Sequence, residues 1–222
     1  MSEKELNLSC TACGVLNCSR LDKRFPEFCL TEAQKDENEA ALALYKGNGM
    51  DAKVARAAAE VEGIYYGQLT RVEEIIAFAK RIGAKKIGIA TCMGLINEAK
   101  IFAQILKAKG LESYAVICKV GANDKTDIGI RSEHKVNKGT GFEALCNPVM
   151  QAKLLNKEKT DLNVVVGLCV GHDSLFIKYS KALVTTLITK DRLMGHNPAA
   201  ALYTSGTYCK RLLKEEKDKF NS

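Results

Sequence analysis

The chain has no tryptophan, only three prolines and few aromatic residues, 6% in all. No basic stripe interleaved with aromatics occurs, which argues against a nucleic-acid partner. The formal charge of +7 comes from lysines scattered among acids, and reads as a solvated surface with weak steering of anions. No apolar run is long enough to span a bilayer, so no membrane partner is expected. The opening, Met1-Ser2-Glu3-Lys4-Glu5, lacks the basic start and apolar stretch of a secretory signal. The expectation is a cytoplasmic protein held in a reducing compartment.

Cysteine is the residue present in excess. Nine cysteines in a reducing compartment point to metal or thiol chemistry, and an odd number excludes complete disulfide pairing. Cys10, Cys13, Cys18 and Cys29 have the spacing C-x2-C-x4-C-x10-C. Little around them can form a core, and free thiols in loops are oxidation liabilities. A tetrathiolate metal site supplies the missing folding energy. One C-x2-C knuckle followed by single cysteines suits a 4Fe–4S cluster about as well as zinc.

The rest of the chain predicts regular structure in three regions: a cysteine-rich segment over 1–31, a helical segment over 32–83, and an α/β domain over 84–222. A helix is expected from Thr31 to the glycines at 47 and 49, and a second from Met50 to Tyr66. A third opens on the capping box Thr70-x-x-Glu73 and closes at Gly83. Beyond it, strands over 86–90, 113–118, 162–168 and 183–189 alternate with helices. Near-continuous apolar strands between helices indicate a parallel sheet covered on both faces. The expected fold class is therefore α/β, a Rossmann-like three-layer domain of about four strands. Residues 121–141 form a polar segment with no strong period, either a functional lid or hidden structure. Asp173 is expected to cap one helix, and Thr207 to open a last one whose run Lys210–Lys219 is a solvated face.

A second cysteine set follows from this layout. Cys92, Cys118 and Cys169 each stand at or just past the end of a predicted strand, and the carboxyl ends of parallel strands form the ligand crevice. Cys146 and His196 each precede an Asn-Pro helix start, and His172 stands before Asp173 in the same manner. Bare helix amides favour thiolates and anions there. Cys92, Cys118, Cys146 and Cys169 are thus candidates for a second metal or cluster. Cys92, His172 and His196 are the candidate catalytic residues. Burial as small hydrophobes is the competing account of each cysteine. Cys209 is read as structural, and His134 as a loop residue.

Cys10-Thr-Ala-Cys13-Gly-Val-Leu-Asn-Cys18 with Pro26-Glu-Phe-Cys29 resembles a family of small cysteine-rich proteins of unknown function, found mainly in anaerobic bacteria and archaea. The stretches Val166–Phe176 and Lys190–Pro198 resemble the same family. The resemblance implies metal binding and carries over no catalytic residue.

Three functions fit these features. The first is an iron–sulfur redox protein or enzyme, with an electron-transfer partner and a small, anionic substrate at the strand ends. The second is a non-catalytic protein with a structural zinc site. The third is a thiol enzyme with Cys92 as nucleophile.

Overall fold

The computed structural model describes residues 9–139 and 141–214, in two compact units that meet in the sequence between Ile64 and Tyr65. The first unit holds two single 3-10 turns, Cys10–Ala12 and Asn17–Ser19, then helices α1 (Leu30–Ala33), α2 (Lys35–Lys46) and α3 (Met50–Tyr65), the last ending at the boundary. The helix expected from Thr31 is broken: Gln34 leaves helical geometry at φ −123°, ψ 50°. Cys29, not Thr31, precedes its first turn, and the Cys29 carbonyl accepts from the amides of Glu32 and Ala33. Asn17 is buried and fastens its own loop, donating to the Lys23 carbonyl at 2.6 Å and accepting from the Lys23 amide at 2.8 Å.

The second unit runs α4 (Arg71–Ile82), β1 (Lys86–Thr91), α5 (Ile96–Ala108), β2 (Glu112–Ile117), α6 (Pro148–Lys157), β3 (Leu162–Val166), α7 (His172–Tyr179), β4 (Leu183–Ile188) and α8 (Ala199–Tyr203). The four strands form one parallel sheet in the order β2-β1-β3-β4. The chain therefore steps outward from β1 to β2, then returns past β1 to β3 and on to β4. Right-handed crossovers require such a reversal to put α5 on one face and α6 and α7 on the other. Accordingly α6 packs on α7 and over β1 and β2.

Side-chain alternation decides which residues meet each layer. Ala90, Val116 and Val165 are register partners on one face, where they pack with Ala152 and Leu155 of α6 and Phe176 of α7. Ile87, Ile89, Val164 and Val166, of opposite parity, are fully buried too. Burial on both parities is why these strands read as unbroken apolar runs. Helix α4 forms as its capping box predicts, with Glu73 bonded to the Thr70 amide at 2.8 Å and Gly83 at φ 78°. It belongs to the sheet unit, where Arg71 reaches Thr185 of β4 at 3.0 Å.

Two expected helix boundaries shift. Helix α7 begins at His172, and Asp173 is not its cap, because the Cys169 carbonyl already accepts from the amides of both residues. The helix expected from Thr207 appears only as a 3-10 turn at Lys210–Leu213, and the remainder of the Lys210–Lys219 face, from 215 on, lies outside the described residues. Cys209, just before that turn, is buried.

Candidate functional site: two groups of cysteines

In the first unit, Cys10, Cys13, Cys18 and Cys29 all line one hollow, together with Leu16, Phe25 and Phe28. Backbone amides already point at two of the sulfurs. The Leu16 amide donates to Cys13 Sγ at 3.4 Å. At Cys29, burial works to raise the thiol pKa, but bonds from the Thr31 side chain and the amides of Thr31 and Glu32 carry it below its ordinary value. Donors of this kind favour thiolate over thiol. Among the described residues no three His, Cys, Asp or Glu side chains converge on one point as the ligands of a metal ion do. The donor set has the softness and number for zinc or an iron–sulfur cluster, and ligation requires the sulfurs to draw closer.

In the second unit, the sheet itself assembles the other group. Cys92 and Cys118 continue the pairing of Thr91 with Ile117 by one residue. Backbone bonds extend with them: the Cys92 amide donates to the Val166 carbonyl at 3.1 Å, and the Cys118 amide to the Thr91 carbonyl at 2.8 Å. Equal register gives both cysteines the same face, and strands lie about 4.8 Å apart, so the two thiols are neighbours. Both are buried in the cluster beneath α6 and α7.

Cys146 arrives by a longer route. The polar segment after β2 is ordered, not bare loop. It contains 3-10 turns at Lys125–Ile128 and Ser132–His134. Asp124 is its centre. Its carboxylate accepts from Lys135 Nζ at 2.6 Å, the Thr126 amide and the Glu143 amide, which together hold it well below the usual carboxylate range. Lys125 pairs with Glu143, whose carboxyl is lowered to about 2 by that ammonium and the Asn137 amide. The segment returns on itself, and the Asn147 amide donates to the Cys118 carbonyl at 2.7 Å. Asn147 then caps α6, accepting from the Met150 amide at 3.0 Å. This closure sets Cys146 beside Cys118.

Strand register and the Asn147–Cys118 backbone bond thus place three sulfurs in a row, Cys92–Cys118–Cys146, with Cys118 in the middle. The two neighbouring sulfurs, aided by burial, push the Cys118 thiol far above its ordinary value and favour its protonated form. The Met93 amide opposes this weakly, donating to Cys118 Sγ at 3.3 Å. The adjacent Cys118 lowers Cys92 to about 5 against the cost of burial, with the Gly94 amide and the Lys190 ammonium assisting. Cys146 is lowered to about 5 in the same way, with the Lys119 ammonium assisting and His172 adding to it.

Cys169, past the end of β3, accepts from Arg192 Nη2 at 3.0 Å. The Arg192 guanidinium also senses the charges of Cys92 and Cys146, so all four strand-end cysteines belong to one neighbourhood. Gly167 makes the close approach possible. Its φ is +71°, and a Cβ there would stand 1.9 Å from Leu95 in the turn after Cys92. Cys92 and Cys169 follow β1 and β3, adjacent strands whose onward connections diverge to β2 and β4. This is the switch point at which open parallel sheets bind ligands.

Of the candidate histidines, only His172 joins this group. Its Nδ1 is buried with no hydrogen-bond partner among the described residues, and it helps favour the Cys146 thiolate. His196 stays within its own turn, at φ 67°, with Nδ1 accepting from the Asp191 amide at 3.1 Å. His134 lies in the polar segment against Arg131. Lys119, Lys190 and Arg192 were not legible as site residues. Lys119 follows Cys118 directly, and Lys190 and Arg192 fall within the stretch Lys190–Pro198, but only the fold turns them toward sulfur.

A family model described as "Protein of unknown function (DUF1847)" matches residues 29–187. The matched span contains Cys29 and all four strand-end cysteines, and begins after Cys10, Cys13 and Cys18. The chain is similar to "Uncharacterized protein MJ0455" of Methanocaldococcus jannaschii, 48% identical over 201 residues, which covers 90% of this chain and 99% of the relative. No solved structure matches the chain. No helix among the described residues is long and apolar enough to cross a membrane.

Proposed function

We propose, from the premise that the chain belongs to the DUF1847 family of proteins of unknown function, that it is a redox metalloprotein whose reacting centre is the row of thiols at the strand ends. The observation that carries this reading is the row itself: Cys92 and Cys118 side by side past the ends of β1 and β2, with Cys146 tied back to Cys118 through the Asn147 amide, at the switch point of a parallel sheet. Thiolate is the reactive form of cysteine. Two thiolates stabilised near neutral pH beside a retained thiol make a site built for attack on an electrophile.

A second metal is the competing account of these cysteines, and the cations favour the thiol account. Arg192 donates to Cys169 Sγ at 3.0 Å, and the ammonium groups of Lys190 and Lys119 favour the thiolates of Cys92 and Cys146. Positive groups thus already surround the sulfurs, and a metal ion brought among them meets their repulsion. The same cations give the site its substrate preference, a small anionic molecule.

The first unit carries the metal. Cys10, Cys13, Cys18 and Cys29 line a common hollow, and amides aimed at Cys13 and Cys29 suit bound thiolates. They would hold a 4Fe–4S cluster or a zinc ion. A cluster supplies one-electron storage when bound, and zinc supplies structure alone.

Two measurements test the proposal. Iodoacetamide labelling with peptide mapping should modify Cys146 rapidly at pH 6, where an ordinary thiol is almost inert. Slow labelling throughout would remove the thiolate reading. Anaerobic purification followed by metal analysis and a visible spectrum should find iron with sulfide, or one zinc per chain. A chain free of both would remove the metal reading.

A further inference from the structure

We propose that the strand-end row reduces the disulfide of a small thiol bearing anionic groups, with Cys146 as nucleophile, Cys118 as resolving thiol and Cys92 as the acceptor of the Cys118 proton. The inference rests on the thiolate reading above and is independent of what the first unit binds.

Accessibility orders the roles. Cys118 is 3% exposed and Cys92 8% exposed, whereas Cys146 is only half-buried. A substrate from solvent therefore meets Cys146 first. Cys169 is also half-buried, but its sulfur already accepts from the Arg192 guanidinium at 3.0 Å. Cys146 has Cys118 beside it, and the bond from the Asn147 amide to the Cys118 carbonyl holds the two backbones together. Disulfide formation demands backbones that are already close.

The chemistry balances without any further reagent. The Cys146 thiolate attacks one sulfur of the disulfide R–S–S–R. A bond forms from Cys146 Sγ to that sulfur, the S–S bond breaks, and the first RS⁻ leaves. Cys118 then passes its proton to the Cys92 thiolate, its neighbour across β1 and β2. The resulting Cys118 thiolate attacks Cys146 Sγ, the mixed disulfide breaks, and the second RS⁻ leaves. The substrate has gained two electrons. The protein has lost them as a Cys118–Cys146 disulfide, and Cys92 keeps the proton. A row of three is thus what this half-reaction uses, since a buried resolving thiol with a high affinity for its proton needs a base within reach.

The charge of the substrate follows from the surroundings. Lys119 adjoins Cys146, Lys190 adjoins Cys92, and Arg192 senses both. These cations attract an anionic disulfide and stabilise each departing thiolate. His172, its Nδ1 buried and unpartnered beside Cys146, adds a polar contact for the leaving sulfur or an anionic group.

The test uses the full-length protein, prepared reduced and without oxygen, in single turnover with three probes. These are 5,5′-dithiobis(2-nitrobenzoate), which is dianionic, hydroxyethyl disulfide, which is neutral, and cystamine, which is dicationic. Peptide mapping after quenching should find a Cys118–Cys146 disulfide. Relative to their rates with free cysteine, the dianion should outpace the dication at least tenfold at low salt, and the gap should shrink in 0.5 M salt. C118S should stop after one thiol is released, with the second half of the probe retained on Cys146. C92S should still form that adduct but resolve it at least tenfold more slowly than the native protein. A native protein that accumulates the Cys146 adduct, or that couples other cysteines instead, overturns the proposal, as does equal preference for the dication. If Cys146 is alkylated rapidly at pH 6 and yet no Cys118–Cys146 bond forms, this inference fails and the thiolate reading stands. If Cys146 is unreactive in both assays, both fail together.

Discussion

Gln151 lies directly over the ends of two strands: its Nε2 donates to the Thr91 carbonyl at 3.2 Å and to the Val116 carbonyl at 2.7 Å. The residue is fully buried on α6, one turn below Cys146. A single side-chain amide thus pins the helix that follows one cysteine to the strands that precede the other two.

Replacing Gln151 with leucine keeps the volume and removes both bonds. We expect a loss of about 1–3 kcal/mol in unfolding free energy. Chemical denaturation measures it. Slower labelling of Cys146 at pH 6 should accompany the loss, because α6 no longer holds the row in register.

The thiolates make reactivity a function of pH. Cys146 ionises at about 5, against about 8.5 for a free cysteine. A lowered pKa means the reactive form is present above pH 5 and is lost as the pH falls through it. Labelling rate plotted against pH should therefore have its midpoint near 5. Lys119→Met removes the adjacent ammonium, and should move the midpoint upward and slow labelling at pH 6 by about three- to tenfold.

The fold was largely legible in the sequence, for a physical reason. Parallel strands buried on both faces must be apolar at every position, so β1 and β3 announce themselves. Thr70, Glu73, Gly83 and Asn147 mark helix ends through bonds made within a few residues. The site was half legible. Placement of Cys92, Cys118 and Cys169 follows from strand ends alone. Their partnership does not, since it needs the sheet order, the register and the return of the 121–146 segment. That segment hid its structure because Asp124, Lys135 and Glu143 stabilise it by charge, and charge has no period. The break at Gln34 and the early start of α7 arise from the Cys29 and Cys169 carbonyls, which no local pattern displays.

Acid should loosen the 121–146 segment before the sheet. Glu143 is lowered from an ordinary 4.5 to about 2 by Lys125 and the Asn137 amide. A depressed carboxyl contributes stability that is present above its unfolded value and is lost as the pH falls through its folded one. The window is therefore about pH 4.5 down to 2. Hydrogen exchange, corrected for its intrinsic pH dependence, should rise at Asn137 and Lys125 in this window while β1 and β3 stay protected.

Gly88 tests the packing under α6. A Cβ there would lie 2.0 Å from Asn163 Oδ1 and 2.9 Å from Leu155. Asn163 is itself held by Thr160 at 2.7 Å and Ser180 at 2.7 Å, so it cannot retreat without breaking bonds. Gly88→Ala should cost at least about 2 kcal/mol, read as a fall of several degrees in melting temperature.

In the first unit, serine at Cys13 or Cys29 should release bound iron or zinc from the anaerobically prepared protein. Metal content of the dialysed variants is the measurement. Retention of full occupancy in both would place the metal elsewhere.

The matching register of Cys92 and Cys118 has a consequence for how this sequence is free to vary. Each sulfur reaches its neighbour only because it stands two positions beyond a residue of its strand that faces α6, Ala90 for Cys92 and Val116 for Cys118. One added or deleted residue within β1 would swing Cys92 to the opposite side of the sheet and leave Cys118 facing hydrocarbon alone. An insertion in the excursion between Cys118 and Cys146 leaves that register intact, whereas one within β1 or β2 does not.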